Sequence, residues 1–179
     1  MSKIGRKPVE IGNVDVKIVG QTVVVKGPKG EGVVEVPPHL SVAIEDGKLN
    51  VSRDRDDKKA RAIHGLVRSL VANFVTGVVE PWRKTLEIHG VGYRVKLEGK
   101  KLVLNLGFSH QVNFEIPEPL SVEVKGTKIT VIGVNKQFVG EIAAKIKDLK
   151  KPDKYKGKGI RYEGQVLKLK PGKKAKAGA

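Results

Sequence analysis

The chain carries one run of strands, turns and helix twice, and that repeat restricts it to two small folded units of like construction. Val36-Pro37 followed by Leu40-Ser41-Val42 is echoed by Ile116-Pro117 followed by Leu120-Ser121-Val122. Lys48 and Val51 are echoed by Lys128 and Val131, all at an offset of 80. Leu40, Val42 and Ile44 alternate along one copy, and Leu120, Val122 and Val124 along the other. A period of two marks half-buried strands. Each pair of strands leads into an apolar stripe at helical spacing: Ala60, Ile63, Val67, Leu70, Val71 and Phe74, then Val139, Ile142, Ala143, Ile146 and Leu149. The helices match at an offset of 79, one residue having been lost between strand and helix.

Upstream, alternating segments at Val14 to Ile18, Thr22 to Lys26 and Val33 to Val36 have counterparts at Tyr93 to Glu98, Leu102 to Leu106 and Val112 to Ile116. Gly27-Pro28-Lys29-Gly30, Asp46-Gly47 and Gly99-Lys100 punctuate them as tight turns. With aromatics at only 4% of residues, the core must be Val, Ile and Leu, a mixture that suits strands. The expected fold class is α+β: two tandem copies of an antiparallel sheet packed by one helix, with a basic C-terminal extension. The expected domains are residues 1–82, residues 83–171 and a flexible basic tail at 172–179. Pro81 and Trp82 suit a short, stiff connection.

The copies differ in charge. Of the net +16, residues 1–82 contribute +3 and residues 83–179 contribute +13. Residues 145–179 alone hold 13 basic and 3 acidic residues. So large a cationic excess points to a polyanionic partner, of which nucleic acid is the commonest. The first helix opens with Asp54, Asp56 and Asp57, which complement its positive end. The second opens Asn135-Lys136-Gln137, where a cation opposes the dipole. Two readings stay open there, a solvated lysine and a helix start that binds phosphate.

Beyond the second helix, Lys150, Lys151, Lys154, Lys156, Lys158 and Arg161 supply charge. Gly157 and Gly159 would let the backbone approach a phosphate chain. Tyr155 and Tyr162 offer planar faces to sugars or unstacked bases. The alternative is a solvated cationic loop. The closing run Lys168 to Lys176 reads as an arm that is disordered unless RNA holds it.

Enzyme chemistry finds no foothold. There is no Cys, so thiol chemistry and Cys-based zinc sites are excluded. His39, His64, His89 and His110 are scattered without ligand spacing, and a helix-surface or packing role is expected of His64. Gly90-Val91-Gly92 lacks the third glycine of a dinucleotide loop, and Gly27-Pro28-Lys29-Gly30 lacks the ending of a phosphate loop. No catalytic residue, metal ligand, cofactor or small-molecule substrate is expected. Met1 to Pro8 has no apolar core and does not read as a secretory signal. The most apolar stretch, Leu66 to Val79, is interrupted by Arg68, Asn73 and Gly77 and is shorter than the about 20 residues of a membrane span. No membrane partner is expected, and the chain reads as soluble and intracellular.

Several ordered motifs resemble a known family. They are Ile4-Gly5-Arg6-Lys7-Pro8, Val25-Lys26-Gly27-Pro28-Lys29-Gly30-Glu31 and Arg61-Ala62-Ile63-His64-Gly65-Leu66 in the first half. In the second half they are Gly90-Val91-Gly92-Tyr93-Arg94, Gly107-Phe108-Ser109-His110, Lys136-Gln137 with Val139-Gly140, and Tyr155 through Tyr162. Together they resemble ribosomal protein six of the large subunit in its bacterial form, over nearly the whole chain. The resemblance implies two copies of one α+β unit in a cytoplasmic ribosome. It further implies binding of large-subunit ribosomal RNA beside the factor-binding centre, with neighbouring proteins near the stalk base as partners. The RNA-binding residues it implies are Lys136 and Gln137, and Lys154 through Tyr162, next to the basic Lys150 and Lys151.

Overall fold

A computed structural model describes residues 4–172, and residues 173–179 of the expected tail lie outside it. The chain separates into two compact units, Met1–Trp82 with Val134–Lys136 and Arg83–Gly133 with Gln137–Ala179. The α+β class expected from the repeat is the one observed.

In the first unit the strands are β1 (Val9–Glu10), β2 (Asp15–Val19), β3 (Thr22–Gly27), β4 (Gly30–Glu35), β5 (Leu40–Glu45) and β6 (Lys48–Arg53), followed by α1 (Lys58–Val79). They form two antiparallel sheets, ordered β2-β3-β4 and β1-β6-β5. The β5–β6 register sets Val42 beside Val51 and Ile44 beside Leu49. The turn between them holds Asp46 at φ 50° and Gly47 at φ 72°. A two-residue hairpin needs such left-handed positions, and Asp-Gly adopts them cheaply. Helix α1 packs on both sheets. Val23, Val25, Leu49, Val71 and Val78 are fully buried in the shared core, each contributing about 1.5–3 kcal/mol by leaving water.

The acidic cluster before α1 divides its work. Asp57 caps the helix, its carboxylate accepting from the Ala60 N–H at 2.6 Å. Asp56 accepts from Arg53 at 2.5 Å, and Asp54 faces His39 at 3.6 Å. The described residues contain no group of three or more His, Asp or Glu placed to hold a metal. Helix α1 runs to 22 residues, longer than the apolar stretch expected, and by length and composition it is apolar enough to cross a bilayer. Its Val67, Val71 and Val78 are nonetheless part of the unit's core.

The second unit repeats the plan with β7 (Trp82–His89), β8 (Arg94–Glu98), β9 (Lys101–Asn105), β10 (Val112–Glu115), β11 (Ser121–Lys125), β12 (Lys128–Gly133), α2 (Lys136–Asp148) and β13 (Gly159–Tyr162). Its sheets are β10-β9-β8 and β11-β12-β7-β13. Strand β7 takes beside β12 the place that β1 takes beside β6. Helix α2 buries Val139, Ile142, Ala143 and Ile146, the stripe read from the repeat. The fourth strand, β13, has no equivalent in the first unit's sheet among the described residues, and it is cut from the basic segment near the C-terminus.

His64 is the buried polar side chain of the described core, 3% exposed. Its Nε2 lies 2.8 Å from the Val51 carbonyl, which can only accept, so Nε2 carries the proton. Its Nδ1 then accepts from Arg53 at 3.1 Å. Packing is therefore its role, and α1 is fastened to β6 through it. Replacing His64 by Leu leaves the Val51 carbonyl buried and unpaired. The expected cost is about 2 kcal/mol, read as a lowered midpoint in denaturant unfolding with RNA affinity unchanged.

Candidate nucleic-acid interface

Helix α2 ends at Asp148, and the chain must turn back to lay β13 on the sheet edge. Register places Gly159, Ile160, Arg161 and Tyr162 opposite His89, Ile88, Glu87 and Leu86. Ile160 is fully buried, and its N–H donates to the Lys150 carbonyl at 2.8 Å. These bonds close a loop on two sides. Within it, the Asp153 N–H donates to the Lys158 carbonyl at 2.9 Å and the Gly157 N–H to the Asp153 carbonyl at 3.0 Å. The Asp153 carboxylate accepts from the Lys156 N–H at 2.8 Å. That bond, chiefly, holds the Asp153 pKa below its ordinary value against desolvation, with help from the Tyr155 and Lys154 amides and the Lys156 charge.

The loop so built turns Lys154, Tyr155, Lys156 and Lys158 outward. None of these three lysines makes a salt bridge among the described residues. Other exposed cations do: Lys145 with Glu141 at 2.7 Å, Lys151 with Asp148 at 3.6 Å, Lys101 with Glu115 at 2.9 Å and Lys100 with Glu118. In the first unit Lys17 and Lys26 are likewise paired, with Asp15 and Glu31. The loop between α2 and β13 thus sets three lysines without a salt bridge within five residues, while exposed cations elsewhere among the described residues, such as Lys29, Lys48, Lys58, Lys59 and Lys125, also lack one.

Not every expected residue serves the surface in the way its type suggested. Gly157 and Gly159 are buried. Gly159 sits at φ +147°, and a Cβ there would fall 2.7 Å from the Pro152 Cα and 2.8 Å from the Lys150 carbonyl oxygen. The close approach that these glycines permit is to the chain's own turn. Arg161 is half-buried, its Nη2 at 3.5 Å from His89 Nδ1 and its Nε at 4.0 Å from Glu87. The hydrogen bond from His89 is the main reason the Glu87 pKa lies below its ordinary value, with Lys128 adding to it and burial opposing. Lys128 bridges Glu87 at 3.5 Å and Glu163 at 2.6 Å, and its pKa is raised, above all by the hydrogen bond to Glu163.

Tyr155 is 58% exposed, an open face as expected. The Tyr162 ring instead carries the ammonium groups of Lys84 at 5.0 Å and Lys147 at 4.7 Å. Sequence reading missed these two lysines because nothing in their spacing ties them to Tyr162. An open cleft of about 490 Å³ runs beside the loop, bordered by Lys156, His89, Arg161, Leu167 and Leu169. The Lys170 N–H donates to the Lys154 carbonyl at 2.8 Å, so the start of the closing run lies along the loop.

At the start of α2, Lys136 groups with the first unit. Its ammonium lies 4.2 Å from the Trp82 ring centroid, a partner within the protein for the cation that opposes the helix dipole. Gln137 is exposed in the first turn of α2 and groups with the second unit. Lys150, Lys151 and Lys154 to Tyr162 are brought together in one segment of that unit, and Lys136 is not grouped with them.

A sequence profile described as ribosomal protein L6 matches residues 12–80 and 89–163, one block in each repeat. The chain belongs to the ribosomal protein L6 family. The large ribosomal subunit protein uL6 of Persephonella marina is 50% identical over 175 residues, covering 97% of this chain and 98% of that one. Its counterpart in Salinispora tropica is 52% identical over 180 residues, covering 98% and 99%, and that in Clostridium botulinum is 51% identical over 179 residues, covering 98% and 99%. The L6 profile ends at residue 163, so it takes in the lysine loop and β13 as part of the family's second repeat.

Asp153 gives this geometry a pH signature. A depressed carboxylate contributes stability that is complete above its unfolded pKa and is lost as pH falls through the lowered folded value. The Lys156 amide resonance should therefore titrate with a midpoint below the ordinary aspartate value. A midpoint at the ordinary value would contradict the cap.

Proposed function

We propose that this L6-family chain is a structural, non-catalytic constituent of the large ribosomal subunit in the cytoplasm, and that it binds large-subunit ribosomal RNA through its second unit. The observation that carries the RNA contact is the fixed loop Lys154 to Lys158, whose three lysines have no acidic partner at salt-bridge distance among the described residues. The loop is held by backbone bonds and by a buried strand, so its charges stand in place before any RNA arrives. Binding then neutralises phosphates without ordering a disordered segment. Lys150, Lys151 and the lysines around Tyr162 extend the same field. Recognition would be of RNA shape more than of sequence, since the charged groups reach phosphates rather than base edges.

The resemblance in the motifs supports a position beside the factor-binding centre, with neighbouring large-subunit proteins at the stalk base as partners. Residues 83–171 are the main RNA-binding domain in this reading, and Gln137 at the start of α2 contributes beside the loop. A second reading, an interaction module using its charge on an acidic protein or membrane surface, shares the electrostatics but has no use for the family's placement.

Replacing Lys154, Lys156 and Lys158 together by Ala should weaken binding to large-subunit RNA tenfold or more. The log–log salt slope should fall by about 2 to 3. The paired lysines Lys17 and Lys26, replaced in the same way, should change neither quantity appreciably. Filter binding over a salt series makes the measurement. An unchanged affinity and slope in the triple variant would remove the loop from the interface.

A further inference from the structure

We propose that Phe108, His110 and Lys150 form a stacking platform for one unpaired RNA base beside the lysine loop. This deepens the RNA-binding reading above and rests on it. Phe108 lies in the connection between β9 and β10 and is 41% exposed. That is unusual in a chain with only 4 Phe, 3 Tyr and 1 Trp, where aromatic surface is scarce and most apolar bulk is buried. The His110 ring lies nearly parallel to it, with centroids 5.9 Å apart and planes inclined by 17°. The Lys150 ammonium lies 4.1 Å from the Phe108 ring centroid.

Two further features make this a built surface. The connection that presents Phe108 is braced by Tyr93, whose ring fills the space that a Cβ on Gly90 or Gly107 would occupy, at 2.6 and 2.9 Å. Lys150 is also the residue whose carbonyl receives the Ile160 N–H. One residue thus ties the aromatic pair to the segment that carries Lys154, Lys156 and Lys158, and the two surfaces are continuous through it.

The chemistry selects an unpaired nucleobase. Near-parallel rings suit base stacking on an aromatic side chain. The Lys150 ammonium, now over the Phe108 face, sits on a flexible stem that can swing to the phosphate of the same nucleotide as the base takes that face. Only a base splayed out of a helix exposes its face for this. An acidic protein surface would use the ammonium and leave the rings idle. The platform is indifferent to base identity because every base has a stacking face.

The probe is a protein-free transcript of large-subunit ribosomal RNA, titrated with the full chain by filter binding at several salt concentrations. Phe108→Leu and His110→Ala should each weaken binding about tenfold while leaving the salt slope unchanged, because stacking releases no counterions. His110 is exposed, so its replacement does not threaten folding. Unchanged affinity in both variants overturns the platform, and a lowered melting temperature for Phe108→Leu alone would then mark the rings as a loop brace. Weakened binding with a reduced slope overturns it too, since the loss would be electrostatic. Absence of salt-dependent binding by the unaltered chain is the separate result that would overturn the underlying RNA reading.

Discussion

The candidate interface depends on one short strand pairing, β13 against β7. Ile160 is fully buried, and its N–H is received by Lys150 at the far side of the loop. That fixes both ends of a turn too polar to hold itself by burial. Without the pairing, residues 149–158 would be a cationic connection with many conformations, and ordering them would be charged against every binding event. Among the described residues the first unit has no such strand, its corresponding sheet ending at β1. The charge difference between the repeats follows that architectural difference.

Within the fixed loop the division of labour is electrostatic. Asp153 is the acid that the turn requires, and its carboxylate is spent on the Lys156 amide rather than on a lysine ammonium. Glu87, His89 and Lys128 similarly engage Arg161 and Glu163 on the sheet. Surface pairs of this kind are each worth little to stability. Their consequence is to decide which exposed cations stay without an acidic partner among the described residues, and Lys154, Lys156 and Lys158 are three of these lying within five residues of one another.

The elements read from periodicity emerge where alternation or a helical stripe ran for four residues or more. The Asp46-Gly47 turn, the helix stripes and the paired hairpins all lie at the expected positions. Three strands went unread, for different reasons. Strand β1 is two residues long and shows no period. Strand β7 does alternate, with Leu86 and Ile88 inward, but it follows the punctuation at Pro81 too closely to stand out. Strand β13 is Gly-Ile-Arg-Tyr among lysines, and its strand character comes from β7, some 70 residues earlier.

The same long-range pairing explains the site residues whose roles shifted. Glycines that permit close approach do not announce what approaches, and at Gly159 it is the chain itself. Arg161 looks like a free phosphate ligand until register places Glu87 opposite it. The lysines of the loop were legible because their environment is local. Phe108 stood in the sequence only as part of a family motif, since its neighbour His110 follows no pattern and Lys150, over its ring, lies beyond α2.

Crosslinking of the chain to RNA within intact large subunits, with the attached peptides mapped, tests the central claim most directly. RNA-bearing peptides are expected from residues 150–162. Crosslinks confined to the first unit, with residues 150–162 unmodified, would contradict it.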